Sequence, residues 1–340
     1  MSKNELESTA RAMVQEGKGL LAADESSGTI KKRFDGVSVE CTEETRRTYR
    51  DLLFTTPGIE KFLSGVILYD ETIRQKGLDG TPFPQLLSKK GILPGIKVDK
   101  GTIDIPGTAA EKVTEGLDGL KTRLSEYRDL GAKFAKWRAV ITIGSAIPTS
   151  LCIDANAHAL ARYAALCQEA GIVPIVEPEV LMDGDHDMAR CEEATSATLE
   201  SVFAELARQR VALEGMILKP NMVLSGKRCP KQAGVQEVAE TTVRCFRRTV
   251  PAAVTGIAFL SGGQSPELAS AHLNAMNRLG ALPWPLSFSY SRALQDPVLK
   301  AWRGQKGNVA AAQRIFHHRA SCNSAARYGK YTRDMEAAAA

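Results

Sequence analysis

Eight short apolar runs punctuate the chain, and stretches with helical periodicity separate most of them. The runs fall at 19–24, 65–69, 92–98, 132–141, 172–177, 215–219, 255–260 and 286–290, each bounded by Gly or Pro. Unbroken apolar runs of this length suit strands covered on both faces, the condition of a parallel sheet. Helical patterns occupy 154–169, 187–210, 236–248 and 266–279, the last opening with Ser265 as cap and Pro266 in its first turn. Strand then helix, repeated eight times with right-handed crossovers, predicts an α/β fold of the TIM, or (β/α)8, barrel type. Two pieces lie outside the repeat. Residues 2–16 read as an extra N-terminal helix with a capping box from Ser2 to Glu5, placed as a lid on the barrel's N-terminal mouth. Residues 306–326 read as a final helix, and 329–340 as a polar C-terminal tail. No linker, repeat or low-complexity block divides the sequence, so residues 1–340 are expected to form a single barrel domain.

Several runs finish in charge, which a purely structural strand has no reason to do. Lys219 ends the sixth run just before Pro220-Asn221; Lys97 and Lys136 belong to two others, and Glu177 with Glu179 ends another. In a βα barrel the C-terminal strand ends build the active site. Read in order, those ends are Asp24-Glu25-Ser26, Lys97, Lys136 with Arg138, Glu177 with Glu179, Lys219, Ser261-Gly262-Gly263 and Ser291-Arg292. Residues two apart on a strand share a face, so Lys136 and Arg138 point the same way, as do Glu177 and Glu179. A local ion pair explains any one of these charges, but not a whole ring of them. A lysine at a strand end, its stem wrapped in core residues, is biased by burial toward the neutral amine, which attacks carbonyls. The arrangement predicts an enzyme.

The Ser-Gly-Gly turn at 261–263 opens a helix, so its backbone N–H groups face the positive end of a dipole. Arg292 after the eighth run can clamp the same anion bidentately, and phosphate sites in these barrels favour this position. A second cationic group on the far side, drawn from Ser26, Thr29, Arg33, Arg46 and Lys97, could hold another phosphate. The acidic stretch 183–187 resembles a cation loop but reads better as the start of the next helix, where acids complement the dipole. The five histidines form no metal-ligand pattern, so no metal is expected.

Composition narrows the class further. The net charge of +5 is far from a nucleic-acid-binding profile, and no apolar run nears the roughly 18 residues of a membrane span. Seven scattered cysteines without a C-x-x-C pair suggest reduced thiols in a cytoplasmic protein. The expected partners are small anionic molecules, neither nucleic acid nor membrane.

Longer motifs support a more specific reading. Leu-Ala-Ala-Asp-Glu-Ser (21–26), Thr-Glu-Glu-Thr-Arg-Arg (42–47), Gly-Ile-Lys-Val-Asp-Lys-Gly (95–101) and Phe-Ala-Lys-Trp-Arg (134–138) resemble the class I fructose-bisphosphate aldolases. So do Ile-Val-Pro-Ile-Val-Glu-Pro-Glu (172–179), Leu-Lys-Pro-Asn-Met (218–222) and Phe-Leu-Ser-Gly-Gly-Gln-Ser (259–265), and the match runs to about Tyr331. The resemblance implies reversible, metal-independent cleavage of fructose 1,6-bisphosphate in glycolysis and gluconeogenesis, with no cofactor beyond a covalent Schiff base, by a cytoplasmic homotetramer. It implies Lys219 as the Schiff-base lysine and Glu177 as the shuttle for carbinolamine formation and dehydration. Asp24 is then the base for the substrate hydroxyl, Lys136 the accessory lysine and Glu179 the second carboxylate of its pair. Ser261, Gly262, Gly263, Ser291 and Arg292 fall around the 1-phosphate. Ser26, Thr29, Arg33, Arg46, Lys97 and Arg138 fall around the rest of the sugar bisphosphate. Two departures stand out. Ser291 replaces the family's usual glycine. No tyrosine follows Tyr331, whereas many members protonate the enamine with a terminal one. Other readings remain open at this level. A transaldolase-like or single-phosphate enzyme needs the same lysine but one anion site, and fructose 1-phosphate is as good a substrate on sequence alone. A metal-dependent aldolase would need histidines at strand ends, and a scaffold would need none of Lys219, Glu177 and Asp24.

Overall fold

The computed structural model describes residues 3–108 and 110–339. The expected strands are present, and they close in the expected order. They are β1 (Gly19–Ala23), β2 (Leu63–Leu68), β3 (Leu93–Lys97), β6 (Phe134–Ile141), β7 (Val173–Val180), β8 (Ile217–Leu218), β9 (Ile257–Phe259) and β10 (Leu286–Tyr290). All pair in parallel into a closed barrel, with β1 between β2 and β10 and a ring of helices outside.

The period of two sorts each strand into a floor and a site. On β6, Ala135, Trp137, Ala139 and Ile141 face the helices and join the main core. Phe134 on the same strand packs inward with Leu20, Ala22, Ile67, Val173, Ile175, Ile217 and Ala258. This apolar floor needs space for the Phe134 ring, which Gly95 on the neighbouring strand supplies: a methyl there would meet the ring at 2.2 Å. Above the floor the same inward faces turn polar, at Lys136 and Arg138 on β6 and at Glu177 and Glu179 on β7. Helix Lys3–Met13 closes the floor from below through Leu6, Ala10 and Met13, with Val14 just beyond it. The capping Ser2 expected for this helix, like Ala340, lies outside the described residues.

Three details differ from the expectation. β8 is two residues long, because Leu213–Gly215 forms a 3-10 turn and Pro220 has no N–H to extend the ladder. Lys219 still bonds its N–H to Val176 O at 2.8 Å, so it continues the strand's line without counting in it. A hairpin, β4 (Thr102–Asp104) with β5 (Lys112–Thr114), stands antiparallel between β3 and β6 at the barrel's upper rim. The polar tail is also more structured than a free end. Residues Arg333–Ala339 form a 3-10 turn, and buried Tyr331 donates to Glu336 Oε1 at 2.7 Å.

Candidate active site

Lys219, Glu177, Lys136 and Asp24 arrive from four different strands and touch in a chain. Lys219 Nζ lies 3.2 Å from Glu177 Oε1, and Lys136 Nζ lies 3.1 Å from Glu177 Oε2 and 2.8 Å from Asp24 Oδ2. All four side chains are buried. The β6–β7 register explains the meeting: Lys136 pairs across from Ile175 and Arg138 from Glu177, so two cations and two acids alternate on one wall. Arg138 Nε in turn pairs with Glu179.

Burial alone would raise the pKa of Asp24, but the Lys136, Lys219 and Lys97 ammonium groups outweigh it and hold this carboxyl far below the usual range. The same contest at Glu177, with Lys136, Lys219 and Arg138 opposing burial, also lowers its pKa. For Lys136, burial favours the neutral amine, and Asp24, Glu177 and Asp99 override it and raise its pKa. Near neutrality the wall therefore presents two carboxylates joined by an ammonium group, with Lys219 against one of them. Such a site can accept protons and can hold a developing charge without water's help.

These groups line a cavity of about 800 Å³ at the C-terminal mouth. Ser26, Thr29, Arg33, Lys97, Arg138, Glu179, Ser261, Gly262, Ser291 and Arg292 line it too. Gly263 sits one position beyond the lining. It completes a turn in which Gly262 (φ 59°) and Gly263 (φ 89°) occupy the left-handed region that glycine tolerates. That turn leads into helix Pro266–Asn277, whose cap Ser265 accepts from Leu268 N at 3.2 Å, so the expected cap is realised. Arg46, unlike Gly263, is held away from the cavity wall altogether. It is held on helix Glu43–Thr55 in a two-pronged pair with Glu71, and Cys41 Sγ takes a third contact. The acids of 183–187 divide as a helix start would have them: Asp187 caps Met188–Arg208, accepting from Arg190 N at 2.9 Å, and Asp183 pairs with Lys227.

Three residues of the cavity wall had no role assigned from the sequence. Glu25 is buried beside Asp24, and its carboxylate gathers Arg33 and Arg50 together with Ser291 Oγ at 2.6 Å and Gln295 Nε2 at 2.8 Å. Burial works against its charge and the two guanidinium groups prevail, holding its pKa at about 2. Ser291, which also accepts from Arg33 at 3.0 Å, has φ −107°, so nothing in the backbone calls for glycine there. Asp99 holds Lys97 at 3.2 Å, and Ser289 Oγ is buried in the wall with no protein hydrogen-bond partner. Asp99 is two residues from Lys97, and Ser289 two from Ser291, so the period-two rule was the available signal.

The arrangement has close counterparts. A family model described as fructose-bisphosphate aldolase class-I matches residues 5–340. A protein of Xanthomonas campestris pv. campestris described as a probable fructose-bisphosphate aldolase class 1 is 60% identical over 97% of this chain and 99% of its own length. Fructose-bisphosphate aldolase 5, cytosolic, of Arabidopsis thaliana is 55% identical over 97% of this chain and 92% of its own. The solved structure of the Plasmodium falciparum aldolase, in a complex with TRAP and a small-molecule inhibitor, superposes with a TM-score of 0.95. It is 53% identical and covers 97% of this chain and 95% of that one.

Proposed function

This chain belongs to the class I fructose-bisphosphate aldolases, metal-independent lyases that cleave fructose 1,6-bisphosphate reversibly in glycolysis, and from that premise we propose which of its residues do the work. Lys219 forms the Schiff base. The observation that carries this is the chain of contacts from Lys219 through Glu177 and Lys136 to Asp24. Lys219 Nζ gives one ammonium proton to Glu177 Oε1, 3.2 Å away, the neutral amine attacks the ketose C2 carbonyl, and a second proton moves from nitrogen to the new alkoxide to make the carbinolamine. Glu177 returns that proton to the carbinolamine hydroxyl, which leaves as water, and an iminium remains. Asp24 then takes the proton of the C4 hydroxyl. The C3–C4 bond breaks, its electrons enter the iminium, and the products are glyceraldehyde 3-phosphate and an enamine. Protonation of the enamine carbon and hydrolysis release dihydroxyacetone phosphate and restore Lys219.

Lys136 keeps both carboxylates charged and oriented through these steps, and Arg138 steadies Glu179 beside them. The 1-phosphate sits on the 261–263 turn with Arg292 and Ser291, and Ser26, Thr29, Arg33 and Lys97 receive the second phosphate. Ser289, a buried hydroxyl without a partner, serves a sugar hydroxyl. The enamine's proton comes from inside the cavity, from a water or from Glu177 after the proton taken by Asp24 has passed to it through Lys136, which touches both carboxylates. Tyr331 is committed to Glu336, and Tyr328 lies against Gly17 at the barrel's opposite mouth, where a methyl on that glycine would meet its hydroxyl at 2.5 Å. We infer further that the enzyme is a cytoplasmic homotetramer. A relative is named cytosolic, and no helix among the described residues is long and apolar enough to cross a membrane. Light scattering tests the assembly.

The deciding experiment is borohydride reduction in the presence of dihydroxyacetone phosphate, followed by peptide mapping. One adduct on Lys219, with loss of activity, is expected; an adduct on Lys136 or Lys97 would reassign the nucleophile.

A further inference from the structure

Lys227 stands over the Ser-Gly-Gly turn without a part in the scheme above. Its backbone is fixed, because residues 226–228 run beside 182–186. Gly226 N bonds His186 O, Lys227 N bonds Met182 O and Arg228 N bonds Gly184 O, each at 2.8 Å. The side chain is thereby laid across the loop: a methyl on Gly263 would meet Lys227 Nζ at 2.8 Å and Arg292 Nη1 at 3.2 Å. Two cationic nitrogens therefore flank the open face of one glycine, no farther apart than those two contacts laid end to end. A phosphate oxygen accepts a charge-assisted hydrogen bond at about 2.8 Å, so neighbouring oxygens of one phosphate reach both nitrogens. Lys227 is meanwhile held at 2.8 Å by Asp183, whose carboxylate lines the cavity mouth. An acid at the door of an anion site opposes binding unless it has a further task.

We infer that Lys227 is an additional ligand of the phosphate on the 261–263 turn, and that Asp183 is its resting partner, given up when phosphate arrives. The inference rests on the reading of that turn as a phosphate site and adds to it a second cation and an internal competitor. Lys227 exchanges one anionic partner for another at a half-open rim, so its contribution is modest and sensitive to salt.

Dihydroxyacetone phosphate is the suitable probe, because it has one phosphate and its carbonyl must reach Lys219. Its Kd is measured by titration calorimetry at low ionic strength for wild type, Lys227→Met, Asp183→Asn, the double variant and Arg292→Ala. Lys227→Met should raise the Kd roughly three- to tenfold, with the difference shrinking as salt is added. Asp183→Asn should lower the Kd, and that gain should vanish in the Lys227→Met background. An unchanged Kd in Lys227→Met, with a raised Kd in Arg292→Ala, overturns the inference and leaves the phosphate reading standing. An unchanged Kd in Arg292→Ala overturns the phosphate reading itself. A gain from Asp183→Asn that persists without Lys227 overturns the exchange, since the acid would then act on the phosphate directly.

Discussion

At the scale of single residues, neighbouring positions can hold different tasks because a strand end turns them to different surroundings. Asp24 faces the lysines of the cavity, whereas Glu25 faces Arg33, Arg50, Ser291 and Gln295. Glu25 makes the stronger case for a pH effect. Its pKa, held at about 2, is below the ordinary 4.5 because two guanidinium groups outweigh its burial. A depressed carboxyl stabilises the fold fully above its unfolded pKa, and that stability is lost as pH falls from about 4.5 toward 2. The loss across that window is on the order of 3 kcal/mol. Urea midpoints from pH 6 to pH 2.5 should fall steeply for wild type and less steeply for Glu25→Gln; equal slopes would remove Glu25 from the account. The sequence displayed Lys219, Glu177, Asp24 and Lys136 because charge ending an apolar run is visible in one dimension. Glu25 was visible at the first strand end but took no role beside Asp24, and Lys227 depends on a contact between two loops far apart in sequence.

At the scale of elements, the eight strands were readable because a barrel strand is a continuous apolar run between turn residues. What could not be read was where pairing stops. β8 has only two residues because Pro220 ends its ladder, and hairpin β4–β5 has only three per strand, too few to show an alternation. The barrel floor shows how one element's composition is set by another. Phe134 fills the space between β2, β3 and β6, and both Gly65 and Gly95 lie within 3 Å of its ring if given a methyl. At Gly95 the clash at 2.2 Å is with the ring of a fully buried side chain, which has nowhere to go. Gly95→Ala should therefore cost about 1–3 kcal/mol by overpacking. Pairing it with Phe134→Leu should recover part of the loss. Denaturant titration of the two single variants and the double variant checks this, and strictly additive losses would show that the ring is not what the glycine accommodates.

At the scale of the whole molecule, the two chain ends brace different parts of the barrel. Helix Lys3–Met13 was legible as a lid because its apolar face had no other surface to cover, and Leu6, Ala10 and Met13 do meet the floor. The C-terminal segment read as a polar tail, and its attachment to the fold was not legible. Its anchor is a charge pair, and the partner of a charge is not written in local pattern. Glu336 accepts from Arg319 through both oxygens and from Tyr331, and its pKa is lowered because those two donors and His318 together outweigh burial. Arg319 is buried in helix Val309–Arg327 and donates its other nitrogen to Pro266 O at 2.9 Å and Ser270 Oγ at 2.8 Å. Those acceptors belong to the first turns of the helix that follows the Ser-Gly-Gly loop, so one guanidinium group ties the tail's carboxylate to that helix. Removing Glu336 leaves a buried cation with neutral partners only, a loss that exceeds the worth of an exposed pair. Deleting residues 332–340 should therefore lower stability by roughly 1–3 kcal/mol, discounted because Glu336 is partly open to water. Turnover per folded molecule should change little, since the two bonds from Arg319 to the loop helix do not pass through Glu336. Glu336→Gln should reproduce most of the loss. Urea midpoints and single-turnover cleavage, measured on the same preparations, separate the two effects. An unchanged midpoint would mean the tail is no part of the fold's support. A collapse of cleavage at full stability would mean that the tail reaches the chemistry from outside the barrel.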